Sequence, residues 1–61
     1  MELMGKIAIV TGAGTGIGRE LAREFARAGA SVVCCGRRTD RLSETVALIE
    51  AEGGIGLSIP T

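Results

Sequence analysis

Residues 10–18 read VTGAGTGIG, and four of these nine positions are glycine. An interior glycine costs roughly 0.5 to 1 kcal/mol relative to alanine in lost conformational freedom, so a cluster of them needs a physical reason. Either the chain turns sharply here or something must approach the backbone closely. Upstream, Lys6 to Thr11 (KIAIVT) is a short β-branched run, with Ile7 and Ile9 on one side of the pleat and Ala8 and Val10 on the other. That is the pattern of a strand covered on both faces, as in a parallel sheet. Downstream, from Gly16 to about Ala28, the period changes. Ile17, Leu21, Ala22, Phe25, Ala26 and Ala28 recur at helical spacing, and Arg19, Glu20, Arg23, Glu24 and Arg27 cover the other side. This predicts an amphipathic helix that Gly29 stops.

The remainder repeats the alternation. Ser31 to Cys35 (SVVCC) reads as a second buried strand and GRRTD as the turn after it. Thr39 or Asp40 can cap a second helix carried by Leu42, Val46 and Ile49, with Glu44, Glu50 and Glu52 outward and Gly53-Gly54 at its end. Ile55 to Ile59 reads as a third strand, broken by Pro60. The order is β-α-β-α-β, an α/β fold. Right-handed crossovers stepping in one direction place both helices on one face of the sheet and leave the other bare. Strands apolar on both faces, a bare sheet face and an unpaired first strand are liabilities in a free-standing domain. Residues 1–61 therefore read as the N-terminal part of a larger doubly wound domain.

Composition narrows the function classes. A free-standing chain of 61 residues would bury only about 60% of its unfolded surface and would need a staple. None is evident, because Cys34 and Cys35 are adjacent, no CxxC pair exists and histidine is absent, so neither a loop-closing disulfide nor a metal site is expected. The two thiols read as small buried hydrophobes in a reducing compartment. Seven basic and seven acidic residues cancel, which points to neither nucleic acid nor an anionic membrane as partner. The apolar run Ile7–Val10 is too short for a signal-peptide core or a spanning helix. A soluble, cytoplasmic protein is the expectation.

The glycines sit between the carboxyl end of a strand and the start of a helix, where open α/β sheets bind ligands. Free N–H groups and a partial positive charge at a helix N-terminus attract phosphate, and residues without side chains let it approach. The pattern GxGxxG fails, since its third glycine would fall on Ile17; Gly12-xxx-Gly16-x-Gly18, preceded by Thr11, fits instead. No GK[ST] follows, which excludes a nucleoside-triphosphate loop. The competing reading is a glycine-rich turn that merely lets helix and strand pack closely.

At these residues the chain resembles the short-chain dehydrogenase/reductase family, whose loop TGxxxGxG stands here as TGAGTGIG. The resemblance runs on through IGRELAREFARAGA and SVVCCGRR to GIGLSIPT. It implies a Rossmann-type domain, several times longer than this chain, that binds a nicotinamide dinucleotide. The cofactor-binding residues carried over are Thr11, Gly12, Gly14, Thr15, Gly16, Ile17 and Gly18. The turn after the second strand adds Gly36, Arg37 and Arg38. In this fold an acidic residue about 20 positions beyond the loop accepts hydrogen bonds from the ribose. Here Gly36 takes that place and two arginines follow. A guanidinium grips phosphate bidentately, so the exchange favours NADP over NAD. The alternative is that Arg37 and Arg38 are solvated turn residues near Asp40. Relatives often carry another basic residue just before the middle glycine, where Thr15 stands, which leaves Arg37 with most of the selectivity.

Family members use a tyrosine as general acid/base, a lysine that lowers its pKa and a serine that holds the substrate oxygen. This chain has no tyrosine, and its one lysine, Lys6, opens the first strand. No catalytic residue is assigned. Ser31, Ser43 and Ser58 have no histidine to act as base. Two classes of function stand at this point. One is an NADP-dependent oxidoreductase acting on a ketone or secondary alcohol, a homo-oligomer when full length, of which this chain carries the cofactor-binding part. The other is a non-catalytic nucleotide sensor or scaffold.

Overall fold

The structure, a computed structural model, describes residues 2–61. Its element order is β1 (Ile7–Thr11), α1 (Gly16–Arg27), β2 (Ser31–Gly36), α2 (Thr39–Ala51) and β3 (Ile55–Pro60). The strands form one parallel sheet in the order β1-β2-β3. Each element falls where the hydrophobic periodicity puts it, with ends displaced by a residue or two.

Register explains the two faces of the sheet. Ala8, Val32 and Gly56 align in one row and Val10, Cys34 and Ser58 in the next. These residues face the helices. They are small because two helices must lie close above them: a Cβ on Gly56 would meet Val46 Cγ1 at 3.4 Å, and one on Gly54 would meet Ile49 Cγ2 at 3.0 Å. The core of Val10, Ala13, Ala22, Ala30, Val32, Cys34, Leu42 and Ile49 fills this layer. The alternate rows, Ile7-Ser31-Ile55, Ile9-Val33-Leu57 and Thr11-Cys35-Ile59, lie on the opposite face. No described element covers that face, so Ile7 stays 74% exposed and Leu57 58%. β1 is not unpaired, since it bonds β2 along its whole length; only its outer edge is open.

Several local expectations are corrected. The N-cap of α2 is Arg38, in extended backbone with no side-chain cap bond, rather than Thr39 or Asp40. Its carbonyl accepts from the Leu42 N–H at 3.0 Å, which starts the helical ladder one residue earlier. Asp40 instead lies in the first turn, where its charge complements the helix dipole. β3 runs through Pro60 rather than ending before it. Thr61 donates its N–H to the Gly36 carbonyl at 2.7 Å, so the missing N–H of Pro60 faces the open edge, where proline is tolerated. Cys34 is buried and Cys35 only half-buried, both as free thiols. Burial, and then the neighbouring Cys35, push the Cys34 thiol above its ordinary pKa, which keeps it protonated and unreactive.

The charged side of α1 does not face solvent throughout. Because both helices lie on one face, Arg19, Arg23 and Arg27 reach across to α2: Arg19 pairs with Glu44 at 3.0 Å, and Arg23 and Arg27 both reach Glu52, at 3.4 and 3.2 Å. Glu44 and Glu52 thus bridge helices instead of pointing outward. The complementary consequence is that Ile17 and Leu21, expected in the packed stripe, are exposed, and Ala22 is the fully buried residue of α1.

Two predictions follow from this packing. The 61-residue chain made alone should be unfolded or self-associated, because the bare face presents a contiguous apolar patch. A monomeric mass together with a cooperative thermal transition would contradict that. For Glu52, desolvation raises the carboxyl pKa, but the hydrogen bonds from Arg27 and Arg23 outweigh it and hold the group below its ordinary value. A depressed folded-state pKa gives stability that is present above the unfolded pKa and disappears as the pH falls through the folded one. Site-resolved NMR titration of the intact protein should place the Glu52 midpoint below the usual glutamate range, and Arg27→Gln should move it upward.

Candidate cofactor site

The site begins with a contact that only glycine permits. A Cβ on Gly18 would collide with the carbonyl oxygen of Gly12, so the loop leaving β1 lies directly against the first turn of α1. Gly12 (φ 65°) and Gly16 (φ 60°) adopt the left-handed region in which a side chain is strained. Around Gly12 there is open space, so the constraint there is the dihedral angle and not crowding. Gly14 meets a different neighbour: a Cβ would lie 2.9 Å from Arg41 Cβ, which brings the loop against the start of α2.

The loop is anchored at Ala13, which is fully buried. Its N–H donates to the Cys35 carbonyl on β2 at 3.1 Å, and its carbonyl accepts from the Thr45 hydroxyl on α2 at 2.8 Å. Thr45 is itself fully buried and accepts from Arg19 Nε at 2.9 Å. One residue of the loop is therefore tied, through the two peptides that flank it, to all three elements around it.

Between loop and turn lies a cleft of about 160 Å³, lined by Gly12, Gly14, Thr15, Gly36, Arg37, Arg38, Arg41 and Leu42. The two stretches singled out in the sequence, TGAGTGIG and GRR, meet here although they are some twenty residues apart. Parallel pairing brings them together, since β1 and β2 end side by side at Thr11↔Cys35. A Cβ on Gly36 would come within 3.3 Å of Leu42 Cδ2, so the buried Leu42 forms the cleft floor beneath Gly36. Of the expected residues, Gly12, Gly14, Thr15, Gly36, Arg37 and Arg38 line the cleft; Thr11, Gly16, Ile17 and Gly18 do not. Thr11 ends β1, and the other three form the first turn of α1, where the Ile17 side chain is 81% exposed. Arg41 and Leu42 were missed. Arg41 lies in the first turn of α2, and no spacing in the sequence marks it, because Arg37 and Arg38 precede the helix.

The electrostatics suit an anion. Thr15 caps α1 in extended backbone without a side-chain hydrogen bond, and no acidic residue occupies the first turn. The N–H groups there are open to a ligand oxygen. Arg37 and Arg38 are exposed and form no ion pair among the described residues, with Asp40 or any other acid, whereas Arg41 bonds Glu44 at 3.5 Å. Two uncommitted guanidiniums, a glycine-lined backbone and an uncapped helix start fit the phosphates of a dinucleotide. The cleft is smaller than the roughly 300 to 1,000 Å³ of a complete ligand pocket. Its size suits one end of such a molecule. Among the described residues no group of His, Cys, Asp and Glu could hold a metal ion, and no helix is long and apolar enough to cross a membrane.

This geometry defines a class, the nucleotide-binding βαβαβ unit of a Rossmann-type fold. The family model of the short chain dehydrogenases matches residues 6–60. The chain belongs to the short-chain dehydrogenase/reductase family. It is 57% identical over 53 residues to a short chain dehydrogenase of Pseudocercospora fijiensis, covering 87% of this chain and 17% of that protein. Among solved structures it is similar to a 3-oxoacyl (acyl-carrier-protein) reductase from Agrobacterium tumefaciens with NADP bound, at 34% identity and a TM-score of 0.92, covering 97% of this chain and 23% of that one. The L-sorbose reductase of Gluconobacter frateurii, complexed with NADPH and L-sorbose, superposes with a TM-score of 0.92 at 35% identity, covering all of this chain and 24% of that one. The chain thus spans about a fifth of the length of these relatives.

The two kinds of glycine should respond differently to substitution. Gly12→Ala, strained only in its dihedral, should cost about 1 to 2 kcal/mol of stability and leave a folded protein. Gly18→Ala forces the loop off the helix and should abolish dinucleotide binding. Calorimetric unfolding and cofactor titration of both variants in the intact protein check this, and equal affinities would contradict the assignment.

Proposed function

We propose that this chain is the cofactor-binding part of an NADP-dependent oxidoreductase that transfers hydride to or from a ketone or secondary alcohol. The observation that carries this reading is the meeting of the glycine loop with Arg37 and Arg38 across a cleft whose rim at Gly36 lacks a carboxylate. An acid at that point would accept from the ribose hydroxyls and repel a 2′-phosphate. The arginines reverse the preference. NADP and NADPH in the structural relatives support the same choice.

The cofactor supplies the hydride chemistry; this chain supplies binding and orientation. The backbone of Gly12, Gly14 and Thr15 and the first turn of α1, with Gly16, Ile17 and Gly18, hold phosphate oxygens. Arg37, with Arg38 beside it, holds the 2′-phosphate. In this proposal the catalytic acid/base and substrate pocket lie in the part of the domain that covers Ile7, Ile9, Val33 and Leu57. Residues 1–61 are the N-terminal part of that single domain, in a cytoplasmic, homo-oligomeric enzyme.

A charge-assisted contact of about 1.5 to 3 kcal/mol corresponds to roughly a ten- to hundredfold preference for NADP over NAD. Dissociation constants for both cofactors in the intact protein should show this preference, and added salt should weaken it. Gly36→Asp combined with Arg37→Ala should invert it. Equal affinities in the unmodified protein would refute the cofactor assignment.

A further inference from the structure

Thr45 has the features of a group that acts through another. It is the one buried polar side chain among the described residues and lies on α2, outside the cleft lining. Its hydroxyl has a single proton to donate. The Ala13 carbonyl lies at 2.8 Å and the carbonyl of Arg41, one helical turn back, at 3.2 Å. Arg19 biases the choice. Its Nε donates to the Thr45 oxygen at 2.9 Å, while its Nη2 donates to the Arg41 carbonyl at 3.1 Å, so the competing acceptor is already satisfied. The hydroxyl proton is left for Ala13.

The consequence lies in the next peptide. No described peptide bond is cis, and in a planar trans peptide the C=O and the following N–H point in opposite directions. A carbonyl of Ala13 drawn toward Thr45 therefore turns the Gly14 N–H away from α2. That N–H has no hydrogen-bond partner among the described residues, and Gly14 lines the cleft. Gly14 is also free of a Cβ, so its peptide can rotate unless something holds it.

We infer that Thr45, set by Arg19, is a positioning residue that locks the Ala13–Gly14 peptide with its N–H presented to the nucleotide. Without the hydroxyl, the buried Ala13 carbonyl loses its only side-chain donor among the described residues, and the peptide gains by turning that oxygen toward the cleft, where it would oppose a phosphate. The inference rests on the nucleotide reading of the cleft, but it concerns a residue that never touches the ligand.

The test is fluorescence titration of NADPH against the intact protein carrying this chain, well below each variant's unfolding midpoint. Thr45→Val keeps the shape and removes the donor; it should raise the Kd for NADPH roughly tenfold, as expected for a buried acceptor left unpaired. Thr45→Ser restores the hydroxyl and should bind within about twofold of the unmodified protein. Arg19→Met serves if Thr45→Val fails to fold: it frees the Arg41 carbonyl to compete for the proton and should weaken binding about threefold. An unchanged Kd in a folded Thr45→Val or Arg19→Met variant, or a serine variant as weak as the valine one, overturns the inference alone. Absence of NADPH binding by the unmodified protein overturns the nucleotide reading and this inference with it.

Discussion

The contact between the Gly12 carbonyl and the Cα of Gly18 is the constraint on which the site depends. It removes all space between the end of β1 and the first turn of α1, so the intervening residues must fold into a tight loop. Gly12 and Gly16 take left-handed dihedrals to achieve it. Ala13 is pressed into the core, which obliges its peptide groups to find partners there, and β2 and α2 supply them. The backbone that lines the cleft at Gly12 and Gly14 is thus shaped by a packing requirement of the same loop.

The same economy of size shapes the sheet. The helix-facing rows hold Ala8, Gly56, Val10, Cys34 and Ser58, while the opposite rows hold Ile7, Ile9, Leu57 and Ile59. Small residues let the helices close on the sheet, and large ones stand exposed on the other side. The ion pairs between α1 and α2 are exposed and contribute little individually. Their value lies in geometry, since Arg19 and Glu52 each engage more than one partner and set the two helices side by side. Correct spacing of the helices is what places Thr45 beneath the loop.

Charge is balanced over the chain but not over its surface. Arg19, Arg23, Arg27 and Arg41 are matched by acids, whereas Arg37 and Arg38 are not. The uncompensated positive charge lies beside the uncapped N-terminus of α1, and the two fields add within one cleft. A neutral chain can in this way hold a local site for an anion.

Periodicity by itself determined the β-α-β-α-β order, because strands of alternating faces and helices with a repeating stripe each have their own spacing. The glycine pattern likewise marked the loop, since φ above zero and close backbone approach both demand that residue. Gly36, Arg37 and Arg38 were legible as a turn beside the glycine loop because the fold returns every parallel strand to the same edge. Other features were decided only in three dimensions. That Arg19 and Arg23 turn to α2 while Ile17 and Leu21 stay exposed depends on which flank of α1 its neighbour occupies, and helical spacing is silent on that. Arg41 joins the cleft only because α2 starts at Thr39 and runs back over Gly14. Thr45 was invisible as a partner of the loop for the same reason: Ala13 lies 32 residues away in the chain, and a hydrogen bond across that separation is set by the packing of helix against loop, not by any local preference of threonine.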